Sequence, residues 1–157
     1  IEPVIFSLGF AYEPASKNAF LQDHAEFDRA IARDEFVSAA RAFHQLWGSG
    51  QSWDRLPDKV QRGMVDKIHL ISAAASHVIE DAYGFCTAGL LEKIEAPVLL
   101  LQGSASSAPM PAVISSLQAR LPRSAVKTVE GAGHMAPITR AKATAAHIQS
   151  FLKNHPV

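Results

Sequence analysis

One short stretch holds the residue types from which proton-transfer chemistry is built: Glu130-Gly131-Ala132-Gly133-His134-Met135-Ala136-Pro137. Its two glycines, one residue apart, let the chain turn sharply and bring backbone close to backbone. The stretch follows an apolar strand pattern and precedes a helical one. That order puts His134 at the C-terminal end of a parallel strand, where open α/β sheets hold their ligands. An imidazole with an ordinary pKa of about 6.5 exchanges protons around neutrality. Taken alone, the segment reads equally well as a glycine-rich turn bearing an exposed histidine.

Other candidates have plainer readings. His24, His44, His69, His77, His147 and His155 are scattered through helical segments, and no H-E-x-x-H motif occurs. No metal site is expected. His69 and His77 are the one pair that could share a face. Asp23, Asp28, Asp66 and Asp81 read as solvated helix faces. Cys86 is the single cysteine, so it forms no internal disulfide and builds no cysteine metal site. Without a basic neighbour it reads as a small core residue rather than a nucleophile. Trp47 and Trp53 flank Gly48-Ser49-Gly50-Gln51-Ser52. As rigid apolar surfaces they either line a substrate pocket or pin two helices together, and pinning is the favoured role. Met135 adjoins the histidine, and Phe6, Leu8 and Phe10 follow the first strand-like stretch, so these too are pocket candidates.

The elements that position these residues follow from hydrophobic spacing. Residues 1–6 read as the end of a strand that Pro3 limits. Residues 7–13 read as a loop or first helical turn. From about Pro14 to about Tyr83 the pattern is helical. Phe20, His24, Phe27 and Ile31 share one face. Phe36, Ala40, Phe43 and Trp47 share the next, with Asp34 as a plausible N-cap. Gly48-Ser49-Gly50 stops that helix, and Pro57 suits the next first turn. Val60, Met64 and Ile68 continue the period, and Ile71, Ala75, Val78 and Ile79 form a further stripe ending near Gly84.

The texture then changes. Pro97-Val98-Leu99-Leu100-Leu101-Gln102-Gly103 is a continuous apolar run, which fits a parallel strand buried on both faces. Val113, Ile114, Leu117 and Leu121 mark a helix closed by Pro122. Ala125–Val129 is a second strand. Thr139 is a plausible cap for a last helix with Ala145, Ile148, Phe151 and Leu152 as its buried stripe. Strand, helix, strand, helix predicts an α/β fold with parallel strands and flanking helices.

Fifteen Lys and Arg balance fifteen Asp and Glu, and 48% of residues are apolar. That composition excludes a disordered chain and offers no basic excess for a nucleic-acid backbone. No apolar run approaches the roughly 20 residues of a membrane helix. No signal peptide is visible. No nucleic-acid or membrane partner is expected, and the expected location is cytoplasmic. The chain opens on Ile1-Glu2-Pro3-Val4 without a methionine, which predicts that further polypeptide, with the remaining strands, lies upstream.

With its order of segments the chain resembles the C-terminal half of α/β-hydrolase fold proteins. The residues that carry the resemblance are Ala96–Gly103, Leu121-Pro122, Gly131-Ala132-Gly133-His134-Met135-Ala136-Pro137 and Phe151-Leu152. The resemblance implies a strand end leading out at 1–8, a helical cap at 9–86 and the C-terminal part of the core at 87–157. It implies that His134 is the general base of a Ser-His-acid triad. The family's nucleophile sits in a G-x-S-x-G elbow, and no such pentapeptide occurs here. The nucleophile is therefore expected in the missing N-terminal half of the fold.

The acid departs from the common pattern too. Many relatives carry Asp three residues after the glycine that ends the penultimate strand, and here that residue is Ser106. Glu2 is the candidate replacement, because some haloalkane dehalogenases look similar in placing the acid at the end of the strand before the cap. The plainer reading of Glu2 is a solvated carboxylate. The resemblance implies a cofactor-free hydrolase acting on a small, mostly apolar ester, with Phe6, Trp47, Trp53 and Met135 as substrate-binding candidates. Alone, this chain is expected to be inactive. The alternatives are a catalytically silent relative and a helical interaction module. A sheet this small also predicts a partner or self-association as a homo-oligomer.

Overall fold

The computed structural model describes residues 1–48 and 50–155; Ser49, the middle of the expected Gly48-Ser49-Gly50 stop, lies outside the described residues. The chain is mixed α/β and 60% helical, with a small parallel sheet. The helical N-terminal part comprises α1 (Phe6–Tyr12), α2 (Pro14–Ile31), α3 (Phe36–Trp47), α4 (Asp58–Val65), α5 (Ile68–Ala73) and α6 (Ala75–Ile79). The C-terminal part runs β1 (Val98–Gly103), α7 (Pro109–Arg120), β2 (Ser124–Val129), α8 (Ala136–Thr139) and α9 (Ala141–Asn154). β1 and β2 pair in parallel, from Val98 opposite Ser124 to Gly103 opposite Val129. Helix α7 is the crossover that a parallel pair requires.

Segment 7–13 is a helix rather than a loop. Phe6, Leu8 and Phe10 of α1 are buried in one cluster with Met110, Val113 and Leu117 of α7, and each such side chain contributes about 2 kcal/mol of burial. The two helices approach closely at Gly9, where an added methyl would meet Val113 Cγ2 at 2.8 Å. Helices α2 and α3 build a second cluster, in which Phe27, Ala39 and Ala42 pack with Trp53 and Ile68.

Several expected details fall differently. Residues 1–6 form no ladder: the Glu2 N–H alone reaches Leu101 O, at 3.0 Å, before Pro3 interrupts the donor sequence. Asp34 does not cap α3. It takes a left-handed φ of +55° in the preceding turn, and Glu35 holds the cap position. Thr139 bonds back to Met135 O within α8, so α9 starts after Arg140. The expected buried stripe of α9 is largely open, with Ala145 and Leu152 exposed and Thr144 the buried residue. Two strands are too narrow to cover the whole apolar face of a 14-residue helix.

The two edges of β1 are distinguishable. Val98 N–H and Ser104 N–H donate to Arg123 O and Val129 O, so even-numbered residues of β1 direct their backbone groups at β2. The backbone groups of Leu101 and Gly103 therefore point to the opposite edge, which no strand occupies among the described residues. Glu2 docks on that edge.

Candidate active site

The loop after β2 is held by backbone hydrogen bonds to the loop after β1. Ala105 N–H donates to Ala132 O at 2.8 Å, and Gly131 N–H donates to Ser104 Oγ at 2.9 Å. Gly131 turns with a φ of +64°, a conformation that favours glycine. Gly103 admits no side chain, because a β-carbon there would overlap the Ala132 carbonyl oxygen. This close approach of two loops delivers His134 to the open edge of β1.

Glu2 meets it there. His134 Nδ1 lies 2.9 Å from Glu2 Oε2. Glu2 Oε1 accepts hydrogen bonds from Gly103 N–H at 2.6 Å and from the Ser106 hydroxyl. The carboxylate is buried, and its residue takes a φ of +40°. A left-handed non-glycine residue over-determined by its surroundings is characteristic of sites where geometry matters more than backbone comfort. Burial pushes the Glu2 carboxyl up. The hydrogen bonds from His134, Gly103 and Ser106 outweigh that and hold it below the ordinary carboxylate value. An ionised carboxylate accepts only, so Nδ1 of His134 carries the hydrogen and Nε2 is left with a free lone pair. The imidazole is thus set to take a proton at Nε2, with a negative charge behind it.

His134 stands between two cavities. One, of about 440 Å³, is lined by Gln45, Leu46, Gly131, Gly133 and Arg140. The other, of about 400 Å³, is apolar. Phe6, Phe20, Phe43, Trp47, Val78 and Met135 are among its walls. The stripe Ile71, Ala75, Val78 and Ile79, which its spacing marks as an apolar helix face, also borders this cavity. Of the four expected substrate-binding residues, Phe6, Trp47 and Met135 lie on it, with Trp47 edge-on to His134 at 5.3 Å between ring centroids. Trp53 lies instead on a separate cavity of about 340 Å³, with Arg41, His44 and Gln45. It is buried in the second cluster with Phe27 and Ala39, where it pins α3 to the following turn, and it does not line this cavity.

His24, in sequence one of several scattered histidines, takes a defined place in the structure. It is buried, accepts the Trp47 indole N–H at 2.9 Å and donates to Phe20 O at 2.9 Å. The signal was present: one histidine within the apolar face Phe20–Phe27 needs buried partners. Among the described residues, no group of three His, Cys, Asp or Glu side chains is placed to hold a metal ion. The Cys86 thiol is pushed up by burial and by Asp81, which opposes thiolate formation.

No family model matches the chain, nor does any curated protein. Among solved structures the chain is similar to a membrane phospholipase A, a novel bacterial virulence factor, with 28% sequence identity and a TM-score of 0.53 over 82% of this chain. The chain spans 44% of that protein's length. This likeness overturns the cytoplasmic location expected from the sequence, since the similar protein is a membrane enzyme. Among the described residues no helix is long and apolar enough to cross a membrane.

Proposed function

We propose that this chain is the cap and the histidine-bearing end of a serine-type α/β hydrolase. Its substrate is a carboxylic ester whose apolar acyl part fills the cavity of about 400 Å³ beside His134. The observation that carries this reading is the 2.9 Å contact between His134 Nδ1 and the buried Glu2 carboxylate, formed against the wall of that cavity. Helices α1–α6 act as the cap. The nucleophilic serine comes from polypeptide outside these 157 residues, because they contain no G-x-S-x-G elbow. The edge of β1 on which Glu2 docks is where the rest of the sheet joins.

Each residue then has a defined task. As the serine oxygen bonds to the ester carbonyl carbon, its proton passes to His134 Nε2. Glu2 keeps the hydrogen on Nδ1 and stabilises the imidazolium. The proton leaves with the alcohol as the carbon–oxygen bond breaks. Water repeats the sequence and releases the acid. The apolar walls hold the acyl chain and exclude water from the charged pair, a setting in which electrostatic stabilisation is strong. The likeness to a phospholipase A supports an acyl ester, lipid esters included, as the substrate class. A serine in place of the usual acid at position 106 would favour a catalytically silent relative. That residue donates to Glu2, so an acid is available at the same place by another route.

The test is turnover of p-nitrophenyl acyl esters, with fluorophosphonate labelling, by the complete protein that carries this chain. Turnover should fall by about 10⁶-fold in His134→Ala, as on loss of a triad histidine. Undiminished turnover in that variant would remove His134 from the chemistry. The 157-residue chain alone is expected to show none.

A further inference from the structure

We infer that His24 is a positioning residue for His134, acting through Trp47. The inference rests on the reading of His134 as the general base. A buried imidazole must satisfy both ring nitrogens. The Trp47 indole N–H can only donate, so His24 Nε2 is the acceptor in their 2.9 Å contact. Nδ1 therefore carries the hydrogen and gives it to Phe20 O, also at 2.9 Å. His24 is fixed as one neutral tautomer and stacks on Phe20 at 3.8 Å between centroids.

Trp47, the last residue of α3, is thereby held at its N–H by α2. It is also stacked on Phe6 of α1 at 5.5 Å and 28°. It meets His134 at an interplanar angle of 80°. The geometry explains why such a brace is useful. The single hydrogen bond from Nδ1 to Glu2 fixes one point of the His134 ring and leaves rotation about that contact open. An indole standing against the ring closes that rotation and so sets the direction of Nε2. Errors of about 1 Å in such placement cost about 100-fold in rate.

The test uses His24→Leu, which removes the acceptor, and His24→Gln, whose amide oxygen can still accept the indole hydrogen. Ring-proton NMR shifts of His134 and exchange of the Trp47 indole hydrogen are read in the complete protein that carries this chain, with thermal unfolding as a control. kcat and KM are read in the complete protein. His24→Leu should shift the His134 ring signals, expose the Trp47 N–H to exchange and lower kcat about tenfold with little change in KM. His24→Gln should restore all of these. Unchanged His134 signals in folded His24→Leu would overturn the inference, as would a folded His24→Gln no better than the leucine variant. If His24→Leu fails to fold, His24→Phe keeps a ring stacked on Phe20 but removes the acceptor, and it must move the same His134 signals. Loss of the hydrolase reading shows separately, as absent turnover in the complete protein whatever the NMR result.

Discussion

Ser106 donates its hydroxyl hydrogen to the Glu2 carboxylate, although 104 positions separate the two residues. On the proposed hydrolase reading, the residue standing where many α/β hydrolases carry their acid supports an acid that arrives from elsewhere. This arrangement makes the position of the charge movable by mutation. Glu2→Gln in the complete protein should lower kcat by roughly 10²–10⁴-fold, as expected when the group behind a catalytic histidine is neutralised. Ser106→Asp alone should also impair the enzyme, because two adjacent carboxylates cannot both stay ionised. The double variant Glu2→Gln/Ser106→Asp should recover at least tenfold over Glu2→Gln. The check is kcat/KM for one acyl ester across the four proteins, and a double variant no better than Glu2→Gln would count against the assignment.

Acid should expose the same carboxylate through stability. Glu2 is held below the ordinary carboxylate value of 4.5 in the folded chain. The unfolded state therefore takes up the proton first as pH falls. The stabilisation from Glu2 is present in full above about 4.5 and is lost as pH drops through the lower folded value. Urea midpoints measured from pH 7 to pH 3 should fall more steeply for the wild type than for Glu2→Gln. Parallel curves would mean that the carboxylate contributes nothing to the folded state.

His24 should add to acid sensitivity in a different window. Burial pushes its imidazole below the usual value of 6.5, against smaller opposing effects from Phe20 O, Asp28 and Asp23. The unfolded state binds its proton first as pH falls below about 6.5, so stability declines from there. His24→Gln should flatten the urea midpoint between pH 7 and pH 5 while leaving the Glu2 limb below pH 4.5 in place.

The two tryptophans should separate by phenotype. Trp53→Ala removes a side chain buried against Phe27, Ala39 and Ile68 and should cost about 3–5 kcal/mol, read as a lower melting temperature. A milder Trp53→Phe should lower stability yet leave KM for acyl esters unchanged. Phe6 and Trp47 line the apolar cavity, so Trp47→Phe should alter KM or kcat at a smaller thermal cost. A KM change in Trp53→Phe would place that residue in the binding surface after all.

Gly103→Ala should be among the most damaging small substitutions. Its methyl would overlap the Ala132 carbonyl, a backbone atom that cannot swing aside. The loop bearing His134 would have to move away from Glu2. A loss of about 3 kcal/mol or more in urea unfolding is expected, together with altered His134 NMR signals.

The parts of this molecule legible in the sequence were those decided by local pattern. Leu99, Leu100 and Leu101 form a strand because an unbroken apolar run ending in glycine has few other uses. Val113, Ile114, Leu117 and Leu121 are buried because their spacing leaves one face to bury. The glycines around His134 announced a tight turn, and the resemblance of that segment drew attention to the vacancy at Ser106 and to Glu2. What stayed hidden depends on relations between distant segments. No local rule reveals that α1 packs against α7 through Gly9, or that α9 has too narrow a sheet beneath it. Trp47 and Trp53 look alike in sequence, six positions apart across the loop. Only their partners, His24 and His134 for one and the α2–α3 cluster for the other, set them apart.

Glu2 grips β1 twice, through its own backbone N–H to Leu101 O and through its side chain to Gly103 N–H. Anchoring of residues 1–3 and placement of a carboxylate against His134 are therefore one event. Whatever peels residues 1–3 from that strand, whether proteolytic nicking or a local unfolding excursion, withdraws the counter-charge from His134 in the same movement. On the proposed hydrolase reading, loosening of this one seam would disarm the site while the rest of the fold stays in place.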